Sequence, residues 1–233
     1  MPRRIPHVSL IPAPSGDTIA AMQTPEIKTH SPAIIFDFGG VLIDWNPRYL
    51  YRKLFPVDEP AMERFLAEVG FDEWNRLQDA GRPFSIAVAE LCARHPQHCE
   101  LIRLYDQRYP ESLNGAIPGT VDILRRLWTA GLPLYGLSNW PAEKFNLIRP
   151  DYEFFGWFRG MVISGEVGVA KPDPRIFHLL LEQAGRPADE CLLIDDSAAN
   201  IAAADALGFQ TIHFHSPQQL EGELARRGLL PGT

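Results

Sequence analysis

Short apolar runs alternate with amphipathic stretches along most of the chain. Residues 33–38 (AIIFDF) are apolar apart from one aspartate and carry β-branched residues at their centre, which predicts a strand buried on both faces. Similar runs stand at residues 132–137, 161–163, 191–194 and 209–214, and amphipathic helical patterns stand at residues 121–130, 142–148, 174–184 and 198–207. Such alternation is typical of a parallel sheet with helices on both faces. We therefore predict the α/β class with a Rossmann-like core.

One long interval departs from this alternation. Residues 47–118 contain no convincing strand pattern, but helical patterns recur at residues 49–55, 61–69, 84–94 and 100–109. We expect this interval to form an inserted α-helical cap over the edge of the sheet. Before the first strand, Pro, Ser and Thr are mixed without periodicity, which predicts a flexible leader. The predicted organisation is a leader at residues 1–32, a core of residues 33–46 and 117–233, and a cap of residues 47–116.

The overall composition narrows the class of protein. Hydrophobic residues make up 45% of the 233 residues, which is enough for a substantial core. The net charge of −7 comes from acidic residues scattered along the chain, without a cluster of Lys and Arg that could follow a phosphate backbone. No window approaches the roughly 18 apolar residues that cross a bilayer. We expect a cytoplasmic protein, monomeric or homodimeric, that binds neither nucleic acid nor membranes.

The cysteines give little indication of a special role. The chain has three of them, Cys92, Cys99 and Cys191, which are too few and too unevenly spaced for a disulfide framework. No CxxC pair suggests a zinc site. We therefore expect three ordinary reduced thiols.

Polar segments follow four of the predicted strands. They are Asp37-Phe38-Gly39-Gly40 in the first case, Ser138-Asn139 in the second, Lys171-Pro172 in the third and Asp195-Asp196 in the fourth. Ligands of parallel sheets bind beyond the carboxyl ends of the strands. We therefore expect the four segments to meet in one crevice, although they are far apart along the chain.

The three aspartates in this crevice predict a metal site. They would repel one another in apolar surroundings unless positive charge compensated them. Mg²⁺ prefers carboxylate, carbonyl and water oxygens and leaves room for a substrate phosphate. The expected ligands are Asp37, the carbonyl oxygen of Gly39, Asp195 and, directly or through water, Asp196.

The same crevice has the groups that phosphoryl transfer requires. A carboxylate can attack a phosphoryl group, which divides one difficult hydrolysis into two easier steps, and Asp37 is the candidate nucleophile. Negative charge then gathers on the equatorial oxygens of the transferred group. We expect Lys171, the Ser138 hydroxyl and the backbone amides of Phe38 and Gly39 to stabilise that charge.

The four segments, in their order, resemble the motifs of the haloacid dehalogenase (HAD) superfamily. They read IIFDFGGVL, GLSNW, VAKPDPRIF and LLIDDSAAN, and the resemblance extends over residues 33–214. The helical insert between the first two motifs is similar to that of the subgroup with an α-helical cap, which includes sugar phosphatases and 2-haloacid dehalogenases. The resemblance implies a phosphatase acting on a small phosphorylated molecule. It also implies phosphate-binding roles for Phe38, Gly39, Ser138, Asn139 and Lys171.

One position departs from the phosphatase pattern of that superfamily. Its phosphatases usually have a second aspartate two residues after the nucleophile, which protonates the leaving group, and this chain has Gly39 there. Such general acid-base help is typically worth about 10²–10⁴-fold. Its loss favours substrates with good leaving groups, such as a sugar 1-phosphate. The first motif is similar to that of a bacterial branch with DxGxV, in which phosphatase activity on hexose phosphates is known.

Two other functions stay open at this point. The 2-haloacid dehalogenases also lack the second aspartate, and there the first aspartate would attack carbon and displace halide without a metal. Against this hypothesis, two adjacent buried acids, Asp195 and Asp196, have little use in a metal-free halide site. The second alternative is a weakly catalytic protein that binds a phosphorylated ligand. A binder has no need of the nucleophile Asp37.

The substrate pocket is expected between the cap and the core. Aromatic faces suit sugar rings and arginine suits anions. The candidates are Trp45, Trp74, Asp79 and Arg82 in and near the cap, and Trp140 on the core side. For each of them taken alone, ordinary helix packing or surface charge is an equally simple interpretation.

Overall fold

The computed structural model describes residues 31–230. Its strands are β1 (Ala33–Phe36), β2 (Ile43–Trp45), β3 (Leu113–Ala116), β4 (Leu134–Ser138), β5 (Gly160–Ile163), β6 (Cys191–Asp195) and β7 (Gln210–His213). Its α-helices are α1 (Pro47–Leu54), α2 (Glu59–Glu68), α3 (Phe71–Asp79), α4 (Phe84–Arg94), α5 (Cys99–Gln107), α6 (Pro118–Thr129), α7 (Ala142–Ile148), α8 (Ser164–Val167), α9 (Pro174–Ala184), α10 (Ala198–Ala206) and α11 (Pro217–Arg226). A parallel sheet in the order β5-β4-β1-β6-β7 forms the centre of the molecule. The predicted α/β class is confirmed.

The central strand is buried on both faces, as its apolar run predicts. Residues Ile34 and Phe36 of β1 pack into one hydrophobic cluster, which includes side chains of α6 and α11. Residues Ala33 and Ile35 point the other way into a second cluster, which includes side chains of α9 and α10. Successive side chains of a strand point to opposite faces of its sheet. Helices therefore cover both faces, and the carboxyl edge of the sheet is left for ligands.

Five helices, α1–α5, stand between β2 and β3 and form the cap. The first two begin at side-chain caps, since Asn46 accepts from the backbone amide of Arg48 and Asp58 from that of Ala61. The inner faces of the cap helices meet around a group of aromatic rings. This group includes Tyr51, Phe71, Trp74, Phe84 and Tyr105. At the base of the cap, β2 and β3 pair antiparallel. The cap thus has an aromatic core of its own.

Several elements differ from the sequence pattern, among them the short β2 and α8, for which no strand or helix was predicted. Helix α3 buries the polar side chains of Asn75 and Gln78 on its inner face, so its apolar periodicity is weak. Strand β3 lies where no strand was expected; it has only four residues, and Asn114 in it is exposed. Helix α11 was not predicted either, because its buried face consists of Leu220 and Leu224 alone.

The prediction of three reduced thiols is wrong for two of the cysteines. Cys92 in the last turns of α4 forms a disulfide with Cys99, the first residue of α5, and their Cα atoms lie 4.5 Å apart. The short connection between the two helices brings the thiols together, which residue counting cannot show. Cys191, at the start of β6, is free and buried.

Two further expectations concern the ends of the chain and the membrane. Within residues 31–230, no helix is both long enough and apolar enough to cross a membrane. The leader predicted for residues 1–32 lies outside the described residues, apart from Ser31 and Pro32. Residues 231–233 of the predicted core also lie outside them.

Candidate active site

The predicted polar segments meet at the carboxyl edge of the main sheet. Asp37 follows the last residue of β1, and Ser138 and Asp195 are the last residues of β4 and β6. Strand β1 lies between the other two, so three neighbouring strands end side by side here. Lys171, in the segment between α8 and α9, reaches into the same place, with its Nζ 3.0 Å from Asp37 Oδ2. The expected convergence is therefore present in the structure.

Lys171 is the central cation of this group. Its side chain is fully buried, and its Nζ lies 2.6 Å from Asp195 Oδ2 and donates to the carbonyl oxygen of Leu137 at 2.8 Å. A buried ammonium of this kind is stable only because anions and hydrogen-bond acceptors surround it. Lys171 thus holds the carboxylates of Asp37 and Asp195 next to each other.

Asn139 supports the backbone of Lys171 in the structure, and its contact with phosphate stays a prediction. Its Nδ2 donates to the carbonyl oxygen of Lys171 at 2.9 Å, and its Oδ1 accepts from the Lys171 amide at 2.8 Å. Both ends of this side chain are thus used to hold the backbone of Lys171. Asn139 positions the lysine, although it also lines the crevice.

The amide of Phe38 contacts Asp37 in the structure, and its binding of phosphate stays a prediction. It donates to Oδ1 of Asp37 at 2.7 Å, so this N–H orients the carboxyl group of Asp37. The side chain of Phe38 is fully buried and packs against Phe145 and Phe155. The predicted contact of this amide with phosphate would compete with the contact to Asp37.

Asn200 was missed as a site residue, because the sequence alone places it in the first turn of α10. It is buried, and its Nδ2 donates to Oδ1 of Asp195 at 2.9 Å. The amide of Ser197 donates to the same oxygen, also at 2.9 Å. These two donors fix the carboxylate of Asp195. The spacing of an asparagine five residues after a strand-end aspartate is the signal that could have revealed it.

The electrostatics of the site show a shortage of positive charge. Burial raises the pKa of Asp37 to about 7; the Lys171 ammonium opposes this rise, and Asp195 and Asp196 add to it. Partial desolvation of its carboxyl group beside the buried acids, together with the charge of Asp195, also raises the pKa of Asp196, although the residue as a whole is exposed. Burial lowers the pKa of Lys171, but Asp37 and Asp195 outweigh it and raise that pKa overall. One ammonium faces three carboxylates, so a further cation would stabilise the ionised site.

The arrangement of the carboxylates fits a divalent metal ion. Asp37, Asp195 and Asp196 each offer one oxygen, and these oxygens lie within 4.8 Å of one another. Such an all-oxygen set suits a hard cation. Asp37 and Asp195 are buried, whereas Asp196 is exposed, so one side of the set is open to water and substrate. The carbonyl of Gly39 stays a predicted ligand.

Gly40 has a left-handed backbone conformation and no side chain, which leaves room for the carboxylate of Asp196. Its φ is 74°, and a Cβ there would collide with the carboxylate of Asp196. We expect Gly40→Ala to unfold at lower temperature, by a loss of about 1–2 kcal/mol, and to bind a divalent cation such as Mg²⁺ more weakly. The matched control is Gly208→Ala, whose φ is also positive, at 86°, but whose Cβ would meet nothing within 4 Å, so it should lose similar stability and bind the cation as wild type does. Thermal unfolding with and without Mg²⁺ checks this, and equal stabilisation of the two variants by Mg²⁺ would contradict it.

A small cavity lies between the cap and this site. Its volume is about 60 Å³, and the residues that line it include Gly39, Trp45, Asn75, Asp79, Tyr109 and Trp140. Three of the residues expected to line a substrate pocket therefore line this cavity: Trp45, Asp79 and Trp140. Asn75 and Tyr109 were missed, since nothing in the helical pattern of the cap distinguishes a residue facing the pocket from one facing its core.

Two other expected pocket residues lie elsewhere. Trp74 is buried in the aromatic core of the cap, and its Nε1 donates to the carbonyl oxygen of Ala87 at 3.1 Å. Arg82 pairs with Glu90. For both residues, packing and surface charge are the correct interpretation.

A polar group without a partner lies at the end of β4. The Oγ of Ser138 is buried and has no hydrogen-bond partner among the described residues. An unpartnered buried hydroxyl costs free energy. A ligand oxygen at the strand ends would relieve that cost.

Known proteins resemble both the sequence and the fold. A sesquiterpene phosphatase of Aspergillus oryzae is 26% identical over 78% of this chain and 88% of its own length. A phosphoglycolate phosphatase of Mesorhizobium japonicum is 30% identical over 78% of this chain and 81% of its own length. The fold is shared with a HAD family enzyme of Bacteroides thetaiotaomicron, which was solved in complex with magnesium and inorganic phosphate. The two structures align with a TM-score of 0.61 and 22% sequence identity, over 80% of this chain and 95% of that one.

A family model covers most of the chain as well. The model for haloacid dehalogenase-like hydrolases matches residues 32–208. This range begins just before β1 and takes in Asp37, Ser138, Lys171 and the acidic pair. The chain belongs to the haloacid dehalogenase-like hydrolases.

Proposed function

We propose that this hydrolase is a Mg²⁺-dependent phosphatase that cleaves a small phosphorylated metabolite through an aspartyl-phosphate on Asp37. The observation that carries the proposal is the buried ammonium of Lys171 shared between Asp37 and Asp195. This contact places a carboxylate nucleophile next to a fixed cation and a set of metal-binding oxygens. Similarity to two phosphatases supports it.

The residues of the chain have distinct parts in the reaction. An oxygen of Asp37 forms a bond to phosphorus while the bond to the leaving group breaks, and water later releases phosphate from Asp37. The amide of Phe38 holds the nucleophile in place. The Lys171 ammonium and the free Ser138 hydroxyl would bind the oxygens of the transferred group. Asn139 and Asn200 hold Lys171 and Asp195 in position.

The metal site adds positive charge at the same point. The carboxylates of Asp37, Asp195 and Asp196, with the carbonyl of Gly39, would hold Mg²⁺, which when bound neutralises charge on the phosphoryl oxygens.

The cavity indicates the size of the leaving group. About 60 Å³ is small beside the roughly 300–1,000 Å³ of pockets for drug-sized ligands. In the observed position of the cap, a group of a few atoms fits. The aromatic faces of Trp45, Tyr109 and Trp140 around it suit the carbon skeleton of a sugar or a related hydroxy compound. We propose a phosphorylated small hydroxy acid, or a sugar of only a few carbons, as the substrate.

A dehalogenase is the second candidate function, because Gly39 stands where phosphatases of the family usually have an acid. A metal-free halide site would gain nothing from Asp196, whose charge raises the pKa of Asp37 and so disfavours the nucleophilic form. The set of three neighbouring carboxylates therefore favours a phosphatase over a dehalogenase.

The distinguishing experiment measures two products. Phosphate release is measured with phosphoglycolate, hexose phosphates and a sesquiterpenyl phosphate, and halide release with 2-chloropropionate. Each assay is run with Mg²⁺ and with excess chelator. We expect phosphate release that falls at least about 10²-fold in chelator and that favours the small substrates. Halide release that is insensitive to chelator would establish the dehalogenase instead.

A further inference from the structure

The carboxyl group of Asp79 faces the site from the cap. Asp79 is the last residue of α3 and lines the 60 Å³ cavity together with Gly39 and Trp140. It also lines a neighbouring cavity of about 210 Å³, together with Asn139 and Lys171. The residue thus borders the space around the strand ends on two sides. No other acidic residue lines the smaller cavity within the described part of the chain.

This carboxyl group has no basic partner. In the described residues its hydrogen-bond donor is Asn75 Nδ2, at 3.4 Å, and it makes no ion pair. The ammonium of Lys171 across the space is already bound to Asp37 and Asp195. Two other charged groups of α3, Glu73 and Arg76, also line the 210 Å³ cavity and pair with each other. The hydroxyls of Tyr105 and Tyr109 are uncharged at neutral pH because burial raises the pKa of both.

These surroundings favour the protonated form of Asp79. Burial and the negative charge of Asp37 raise the pKa of Asp79 to about 7. A carboxylic acid with a pKa near the working pH is suited to general acid catalysis, because it still has a proton to give and becomes a base after giving it. Unlike the carboxylates of the metal set, Asp79 is not needed to bind a cation.

The space beside Gly39 is available for this proton transfer. A Cβ at Gly39 would meet only Trp140 Cζ3, at 3.8 Å, so the position where an acid is missing opens toward the cavity. Asp79 borders that same cavity. The leaving group of a phosphate attacked by Asp37 would occupy the space between them.

We propose that Asp79 is the general acid of the reaction, supplied by the cap in place of the aspartate that is missing at Gly39. This inference rests on the phosphatase function proposed above. It changes the expected substrate class: ordinary alkyl phosphates, whose alkoxide leaving groups need a proton, become substrates alongside sugar 1-phosphates.

The proton balance is complete within the two steps. As Asp37 bonds to phosphorus, the phosphorus–oxygen bond to the alkoxide breaks, and that oxygen takes the proton of Asp79. The Asp79 carboxylate then accepts a proton from the water that attacks phosphorus, and the bond between phosphorus and Asp37 breaks. Phosphate leaves, and both aspartates return to their starting forms.

The test compares two esters in wild type and Asp79→Asn. The amide has the shape and neutral charge of the protonated acid but cannot donate its proton to an alkoxide. One substrate is phosphoglycolate, an alkyl phosphate; the other is 4-nitrophenyl phosphate, whose leaving group departs without a proton. We expect kcat/KM, which reports the steps up to leaving-group release, to fall about 10²–10⁴-fold for phosphoglycolate. For 4-nitrophenyl phosphate we expect kcat/KM to fall less than about threefold.

Two further variants make the result specific. Asp79→Asn combined with Gly39→Asp should recover at least about tenfold of the lost kcat/KM on phosphoglycolate, because it returns an acid to the same cavity. The control Asp72→Asn makes the same change at an exposed position of the same helix. It should leave kcat/KM for both esters unchanged. In wild type, kcat/KM for phosphoglycolate should rise with pH as Asp37 ionises and then fall as Asp79 loses its proton, and Asp79→Asn should lose the falling limb and keep the rising one.

The outcomes separate the two proposals. An equal loss on both esters in Asp79→Asn, no loss on either, or no recovery in the double variant would overturn the role of Asp79. If the wild type with Mg²⁺ released phosphate from neither ester, the phosphatase function itself would fail.

Discussion

Asp37→Asn is expected to lose at least about 10⁴-fold in kcat while remaining folded. The amide cannot form the aspartyl-phosphate, and the Lys171 ammonium keeps its second anion, Asp195, at 2.6 Å. Removing one of three neighbouring carboxylates also reduces their repulsion. The measurement is steady-state phosphate release together with a thermal unfolding curve.

A second readout identifies the intermediate. Wild-type protein mixed with a phosphorylated substrate and quenched in acid should carry a phosphoryl group on Asp37, detectable by mass, and the variant should carry none. Substantial turnover by a folded Asp37→Asn would show that another group attacks phosphorus, and the mechanism proposed here would be wrong.

Lys171→Met is expected to have the second largest effect, on activity and on stability together. It leaves Asp37 and Asp195 buried without their common cation. Breaking a buried ion pair by removing one partner typically costs about 3–5 kcal/mol. Activity should fall at least about 10³-fold, since the group that stabilises the transferred phosphoryl is lost as well. Denaturant unfolding and phosphate release are the measurements.

The matched variant for this prediction is Lys171→Met with Asp37→Asn. One unpaired carboxylate is then removed, so the free energy of unfolding should partly recover, while activity should not. Recovery of stability would show that Lys171 balances the charge of Asp37 in the fold; the double variant also lacks the proposed nucleophile, so the part of the lysine in the reaction is read from the single variant alone. A Lys171→Met protein as stable as wild type would contradict the charge arrangement described for the site.

The core of the fold and the positions of Asp37 and Asp195 could be predicted because their signals are local. A strand buried on both faces is a run of apolar residues, as residues 33–36 of β1 show, and the carboxyl-end rule then locates Asp37 and Asp195 without further information. The helix Ala142–Ile148 was predicted with the bounds that it has in the structure. In these segments, the local sequence is enough to predict where a residue lies in the structure.

The supporting contacts could not be predicted, because they join residues far apart in the chain. Asn139 and Lys171 are separated by 32 residues, and their two hydrogen bonds depend on how the connecting segments cross the crevice. In the cap, Trp74 and Asp79 lie on the same helix, but one points into the aromatic core and the other into the cavity. That choice depends on the packing of the other cap helices, which a single sequence does not reveal.

The pairing of β2 with β3 has a consequence for the history of such proteins. The chain leaves the core at Ile43 and returns at Ala116, and these two residues face each other across the paired strands. An insert whose ends are neighbours adds little closure entropy to the core, so the whole cap is a unit that recombination could exchange. With Asp79 on that unit, an exchanged cap would bring its own proton donor, and leaving-group chemistry and substrate choice would be inherited together.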